Sequence, residues 1–224
     1  MRVARGGSNV ADMNAPALLI FDLDGTLYCT ESSFVPTVER LFDAYGLPSP
    51  PVDEILSMVG ETFTTVLERI RDLGIDEELP TLAERVAEIE LASIADIGRL
   101  FDDVAETLAR LESAGHPLAI CTNGDQAYTG TILRKFEIDR LFSVIATHED
   151  AKETKDEMIW KLRVAYPGRP AVVIGDRYHD IVAGRANECV VISAGYGYAR
   201  PGELDDADHR IERFDELPGL IASL

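Results

Sequence analysis

A doubly wound α/β sheet, interrupted early by a helical segment, is the fold class this sequence predicts, on three observations. Short apolar runs alternate with helical patterns from Phe101 onward, the rhythm of a parallel sheet with helices on both faces. No strand signal breaks roughly Thr30 to Ile97, where apolar residues recur at helical spacing. The first apolar run, Ala17 to Phe21, ends in Asp22-Leu23-Asp24-Gly25-Thr26-Leu27, two acids at a strand tip, where open α/β sheets place their chemistry.

In chain order, Ala17-Leu18-Leu19-Ile20-Phe21 is long enough and apolar enough for a buried strand. Val38, Leu41, Phe42 and Tyr45 then mark a helix stopped by Gly46, with Pro48, Pro50 and Pro51 beyond it. Val66, Ile70 and Leu73 form a second stripe closed by Gly74, and a third helix follows Pro80-Thr81 through Leu82, Val86 and Ile89. These helices read as a compact bundle. After Phe101, a helix through Val104, Leu108 and Leu111 precedes a strand at Leu118 to Cys121. A helix with Ile132, Leu133 and Phe136 leads to a strand at Ser143 to Ala146, and a helix at Met158 to Val164 leads to one at Ala171 to Ile174. Ile181 to Ala186 is a short helix, Cys189 to Ile192 a strand, Gly202 to Asp208 an acidic loop, and Phe214 to Leu224 a closing helix. Trp160 is expected in the core, and Gly195-Tyr196-Gly197 reads as a loop.

Composition narrows the function classes. With 224 residues, 46% of them apolar, the chain builds a packed interior. Its formal net charge of −19 repels nucleic acid and anionic membranes, so neither is expected as a partner. Cys29, Cys121 and Cys189 have neither paired nor zinc-type spacing, which fits a reducing cytoplasm. Residues 1–16 carry two arginines but no apolar stretch and read as a flexible leader.

The motif after the first strand points to a cation. Gly25 permits a tight turn that directs the carboxylates of Asp22 and Asp24, with a backbone carbonyl, toward one point. Converging oxygen donors suit a hard ion such as Mg²⁺; the plain alternative is a strand ending in a solvated acidic turn. Asp176 and Asp180, four positions apart where a strand becomes a helix, are able to face one side. Thr122-Asn123-Gly124 offers a hydroxyl and backbone N–H groups ahead of a helix, a ready phosphate site as well as an ordinary turn. None of His116, His148, His179 and His209 shows metal-ligand spacing.

Asp22 to Leu27, Thr122-Asn123-Gly124, Lys155 and Gly175-Asp176-Arg177-Tyr178-His179-Asp180, in that order, resemble the four motifs of the haloacid dehalogenase-like superfamily, and most closely its phosphoglycolate phosphatase branch. The resemblance spans nearly the whole chain. It implies a Rossmann-like core at 17–29 and 98–224 with a helical cap inserted at 30–97, and a Mg²⁺-dependent phosphatase acting on a small phosphorylated metabolite. Asp22 would be the nucleophile that forms an aspartyl-phosphate, and Asp24 the general acid and base. Asp22, Asp24 and Asp176 would hold the metal, Asp180 through a water or from the outer shell, while Thr122, Asn123, Gly124 and Lys155 would bind phosphate. Many relatives carry Lys-Pro at the third motif, where this chain has Lys152-Glu153-Thr154-Lys155-Asp156, so Lys152 rivals Lys155. Gly60, Glu61 and Thr62 correspond to a cap segment that faces the site in relatives and are candidate specificity contacts. A phosphomutase of the β-phosphoglucomutase kind shares all four motifs, and a phosphate-binding regulator that kept the fold without turnover is the alternative outside enzymes. Asp24, which dehalogenation does not need, argues against a dehalogenase.

Overall fold

The computed structural model describes residues 16–148 and 153–224. Its first strand, β1 (Leu18–Phe21), is followed by four helices with no strand between them: α1 (Glu31–Ala44), α2 (Val52–Leu56), α3 (Phe63–Asp72) and α4 (Leu79–Ile97). Then come α5 (Val104–Ser113), β2 (Leu118–Cys121), α6 (Gln126–Lys135), β3 (Phe142–Ala146), α7 (Lys155–Ala165), β4 (Ala171–Gly175), α8 (Tyr178–Ala186), β5 (Val190–Ala194), β6 (His209–Ile211) and α9 (Leu217–Ile221). The six strands pair in parallel in the order β3-β2-β1-β4-β5-β6. The chain winds outward from β1 to β3, then crosses to β4 and winds outward the other way to β6, so the topological switch point lies between the C-terminal tips of β1 and β4.

The two-residue period of the strands divides the core. Leu19, Phe21, Leu118, Ile120, Val172 and Ile174 pack on one face against Leu108 and Leu111 of α5 and Ile132 and Leu133 of α6. Leu18, Ile20, Ala119, Cys121, Ala171 and Val173 pack on the other against Met158, Ile159 and Leu162 of α7. Because both faces are covered, the strands are continuous apolar runs. Helices α1 to α4 close their own cluster around Phe34, Val38, Phe42, Ile55, Met58, Ile70 and Leu82. The chain departs and returns side by side: Cys29 N–H donates to the Arg99 carbonyl at 3.0 Å, and Phe101 N–H to the Leu27 carbonyl at 3.1 Å.

Several local expectations change. Trp160 is 59% exposed, because α7 turns Met158, Ile159 and Leu162 inward and leaves the indole on the opposite side. Helix α2 and strand β6 are short elements with no periodic signal of their own; β6 forms by pairing with β5. The C-terminal segment is a 3-10 turn at Phe214–Glu216 followed by a five-residue helix, α9, with Pro218 in its first turn. All three cysteines are buried and free. No helix among the described residues is long and apolar enough to cross a membrane.

Candidate active site

Register brings three motif segments to one end of the sheet. Phe21 pairs with Ile120 of β2 and with Ile174 of β4, so Asp22, Thr122 and Asp176 all emerge at the tips of adjacent strands. Asp22 N–H is fixed by the Ile174 carbonyl at 2.9 Å. Beyond it the chain folds back at once, with Leu27 N–H on the Leu23 carbonyl at 2.9 Å and Gly25 N–H on the Tyr28 carbonyl at 3.0 Å.

Gly25 has φ +76°, and a Cβ there would lie 2.1 Å from Asp176 Oδ2. Both the left-handed backbone and the contact exclude any side chain. Gly25→Ala is expected to lower the thermal midpoint and to remove most turnover, since Asp176 must move; a variant with wild-type melting and activity would show that this approach is not needed.

Asp22, Asp176 and Asp180 each offer an oxygen atom within 4.8 Å of the others, all buried. Lys155, the first residue of α7, reaches between two of them: its Nζ donates to Asp22 Oδ1 at 2.7 Å and lies 2.6 Å from Asp180 Oδ1. The helix start is set by Thr154, whose N–H donates to Glu157 Oε2 at 3.0 Å, one half of a capping box. Asp180 is held in turn by Arg177 N–H, 3.0 Å from its Oδ2. Asp176 Oδ2 accepts Tyr198 N–H at 2.7 Å.

Electrostatics make the cluster unstable by itself. Desolvation, reinforced by Asp180, pushes the Asp22 carboxyl above the usual carboxylate range against the pull of Lys155. Desolvation and then Asp22 and Asp180 push Asp176 up in the same way. Burial works to lower the Lys155 ammonium, but Asp180 and Asp22 outweigh it and hold the group firmly charged. Three carboxylates against one ammonium leave a surplus of two negative charges, which a divalent cation would neutralise. All three donors are oxygens, so the set fits a hard ion.

Asp24 lies apart from this cluster. Its Oδ1 accepts Thr30 Oγ1–H at 2.7 Å and Tyr128 O–H at 2.5 Å, and burial raises its pKa above that of a free carboxyl. The carboxyl faces a cavity of about 70 Å³ between the sheet end and the helices α1, α3 and α4. Gly60, Glu61, Asn123 and Gly124 line the same cavity. Thr62 does not; its hydroxyl caps α3 through Thr65 N–H at 3.4 Å. Thr122 is buried, and its Oγ1 accepts Gly124 N–H at 3.0 Å, which leaves the hydroxyl hydrogen available to a ligand. Asn123 Nδ2 donates to the Gly60 carbonyl at 2.9 Å, so its side chain ties the helical segment to the sheet. Lys152 lies outside the described residues.

With strand order, motif positions and site geometry in place, comparison with known sequences settles the family. The profile of the haloacid dehalogenase-like hydrolases matches residues 19–194. The chain belongs to that family. Among curated relatives, a phosphoglycolate phosphatase of Caulobacter vibrioides is 31% identical over 97% of this chain and 95% of its own length. Tyrosine-protein kinase PtkA of Mycobacterium tuberculosis is 31% identical over 85% of this chain and 66% of its own. A solved structure, of a predicted phosphoglycolate phosphatase from Haemophilus somnus, superimposes with TM-score 0.83 at 23% identity, over 92% of this chain and 97% of the other; at that identity it supports the fold.

Within this haloacid dehalogenase-like hydrolase, several residues that support the site were given no role by the sequence. Tyr128 and Thr30 hold Asp24 from two different helical regions. Arg177 is buried; its Nη1 donates to the Val59 carbonyl and its Nε to Glu203 Oε1 at 2.8 Å, joining the helical segment to the end of the sheet. Tyr196 O–H donates to the Thr26 carbonyl at 2.8 Å, so the Gly195-Tyr196-Gly197 loop supports the Asp22 turn. The repeated Gly-Tyr pair was the available clue.

Glu90, on α4, also lines the cavity. Burial, then Asp24 and Asp125, push its carboxyl from 4.5 up to about 8. Between those values the unfolded chain releases the proton and the folded chain keeps it, so this group makes stability fall as pH rises. Glu90→Gln is therefore expected to raise the thermal midpoint by several degrees at pH 8.5 and hardly at all at pH 4. An equal shift at both pH values in melting curves would contradict the assignment.

Proposed function

We propose that this haloacid dehalogenase-like hydrolase is a Mg²⁺-dependent phosphatase that hydrolyses a small phosphomonoester through an aspartyl-phosphate on Asp22. The observation that carries the reading is the arrangement at the strand tips: a nucleophile bound by Lys155 within a three-carboxylate cluster, beside a separate raised-pKa acid that faces a cavity.

A phosphomonoester resists attack because its oxygens are charged, so the site must neutralise charge and align the attacking group. Asp22, Asp176 and Asp180, with the Asp24 backbone carbonyl, would hold Mg²⁺. When bound, the ion would offset the charge of the phosphoryl oxygens and of the carboxylates themselves. Lys155 orients Asp22 and pulls its carboxyl toward the ionised form, and supplies a positive charge to the transferring group. Thr122 Oγ1–H and backbone N–H groups before α6 receive phosphoryl oxygens. Asp24, whose buried setting favours the protonated form, gives its proton to the leaving alkoxide. The resulting carboxylate then takes a proton from the water that cleaves the aspartyl-phosphate. Tyr128 and Thr30 fix its Oδ1 and leave Oδ2 for this transfer. Helices α1 to α4 act as the cap that limits bulk water and substrate size. A cavity of about 70 Å³ takes a small alcohol rather than a polymer.

The test is para-nitrophenyl phosphate hydrolysis with Mg²⁺, followed by a chelator. Turnover is expected to vanish in excess chelator and to return with Mg²⁺, whereas Ca²⁺, with longer and looser coordination, should restore little of it. Full activity in chelator would overturn the metal assignment, and no release at any pH from 5 to 9 would overturn the phosphatase reading.

A further inference from the structure

The cavity beside Asp24 has a marked charge bias. Among the described residues it is lined by four acids, Asp24, Glu61, Glu90 and Asp125, and by no lysine, arginine or histidine. Three of the four have partners. Asp24 accepts from Thr30 and Tyr128, Asp125 Oδ1 accepts Tyr128 N–H at 2.8 Å, and Glu61 lies 3.9 Å from His179 Nε2. Glu90 makes no hydrogen bond or ion pair with a described residue. The two groups that act on it most strongly, Asp24 and Asp125, are acids as well.

Nearby cations are already engaged. Lys155 binds Asp22 and Asp180. The Arg177 guanidinium lies behind Gly60, where it binds the Val59 carbonyl and Glu203. A half-buried carboxyl without a partner calls for a donor from a ligand. Phe34 and Phe63 add apolar wall on the cap side, which suits the carbon skeleton of a small alcohol.

Resting on the phosphatase reading above, we propose that this cavity receives an alcohol that carries hydrogen-bond donors and no negative charge, a polyol or an amino alcohol, and that Glu90 selects it. A leaving group with its own carboxylate, such as that of phosphoglycolate, meets acidic walls on several sides and no counter-charge. Glu90 acts as an acceptor for a hydroxyl or ammonium group, and an anionic alcohol is disfavoured because its carboxylate would be buried beside acids with no cation in the lining to pair it.

The experiment compares kcat/KM for glycerol 3-phosphate, phosphoethanolamine and phosphoglycolate, with para-nitrophenyl phosphate as a reference, in the wild type, Glu90→Gln and Glu90→Arg. The wild type is expected to favour the better of the first two over phosphoglycolate by about tenfold or more. Glu90→Gln should shrink that ratio, and Glu90→Arg should shift it toward phosphoglycolate by roughly a hundredfold. Equal or better use of phosphoglycolate by the wild type would overturn the proposal. So would an unchanged ratio in variants that still melt cooperatively and hydrolyse the reference ester. If Glu90→Arg fails to fold, the Glu90→Gln ratio decides. Failure of the wild type on the reference ester itself would instead bring down the phosphatase reading, and this inference with it.

Discussion

Asp22→Asn is expected to lower kcat by roughly a thousandfold or more, a loss of about 4 kcal/mol of transition-state stabilisation, while the protein still folds. The amide keeps the shape of the side chain but cannot attack phosphorus, and no other described carboxylate can take its place. Asp176 is engaged by Tyr198 N–H, Asp180 by Arg177 N–H and Lys155, and Asp24 faces the other way toward Tyr128. Folding should survive because burial already holds the Asp22 carboxyl above its usual pKa, so the folded state loses little when that charge is removed. Steady-state hydrolysis and a melting curve together check this. Retention of more than about a tenth of wild-type turnover would mean that Asp22 is not the nucleophile.

The second large effect is expected for Lys155→Ala, which should lower kcat/KM by roughly a hundredfold or more. The change removes the cation that touches both Asp22 and Asp180 and leaves two buried carboxylates facing each other. Breaking a buried charge pair from one side commonly costs about 3–5 kcal/mol, so the metal-free variant should also melt well below the wild type. Added Mg²⁺ should recover part of that loss, because an ion among Asp22, Asp176 and Asp180 replaces the missing positive charge. Lys155→Arg is a useful second variant, since it keeps the charge with a different reach. Lys152→Ala is expected to change kcat/KM only a few-fold. A larger loss for Lys152→Ala than for Lys155→Ala would reassign the third motif.

What could be read from residues alone differs across the molecule for a physical reason. The strands Leu118–Cys121 and Ala171–Gly175 were legible because parallel strands buried on both faces must be continuously apolar. The alternating helices were legible through their stripes. Short elements were not. Strand β6 has three residues, and only its pairing with β5 makes it a strand. Trp160 misled because an aromatic residue in an amphipathic helix is most often turned inward, whereas α7 buries Met158, Ile159 and Leu162 and exposes the indole.

The sequence alone was enough for the sheet-forming runs, the long helical interruption after the first strand and the acids at the strand tips, while it left Lys152 and Lys155 as rivals. Those features are local: a strand tip, a tight glycine turn and a helix cap are each written in a few consecutive residues. Tertiary structure alone decided which groups act on one another. Lys155 meets Asp22 across 133 positions, Tyr128 meets Asp24 across 104, and Arg177 reaches Val59 across 118. It also decided that Asp180 shares Lys155 with Asp22, that Thr62 caps a helix instead of lining the cavity, and that Glu90 faces Asp24. Contacts of this kind follow from parallel register and helix packing, which bring distant segments to one sheet end and leave no periodic mark in the chain.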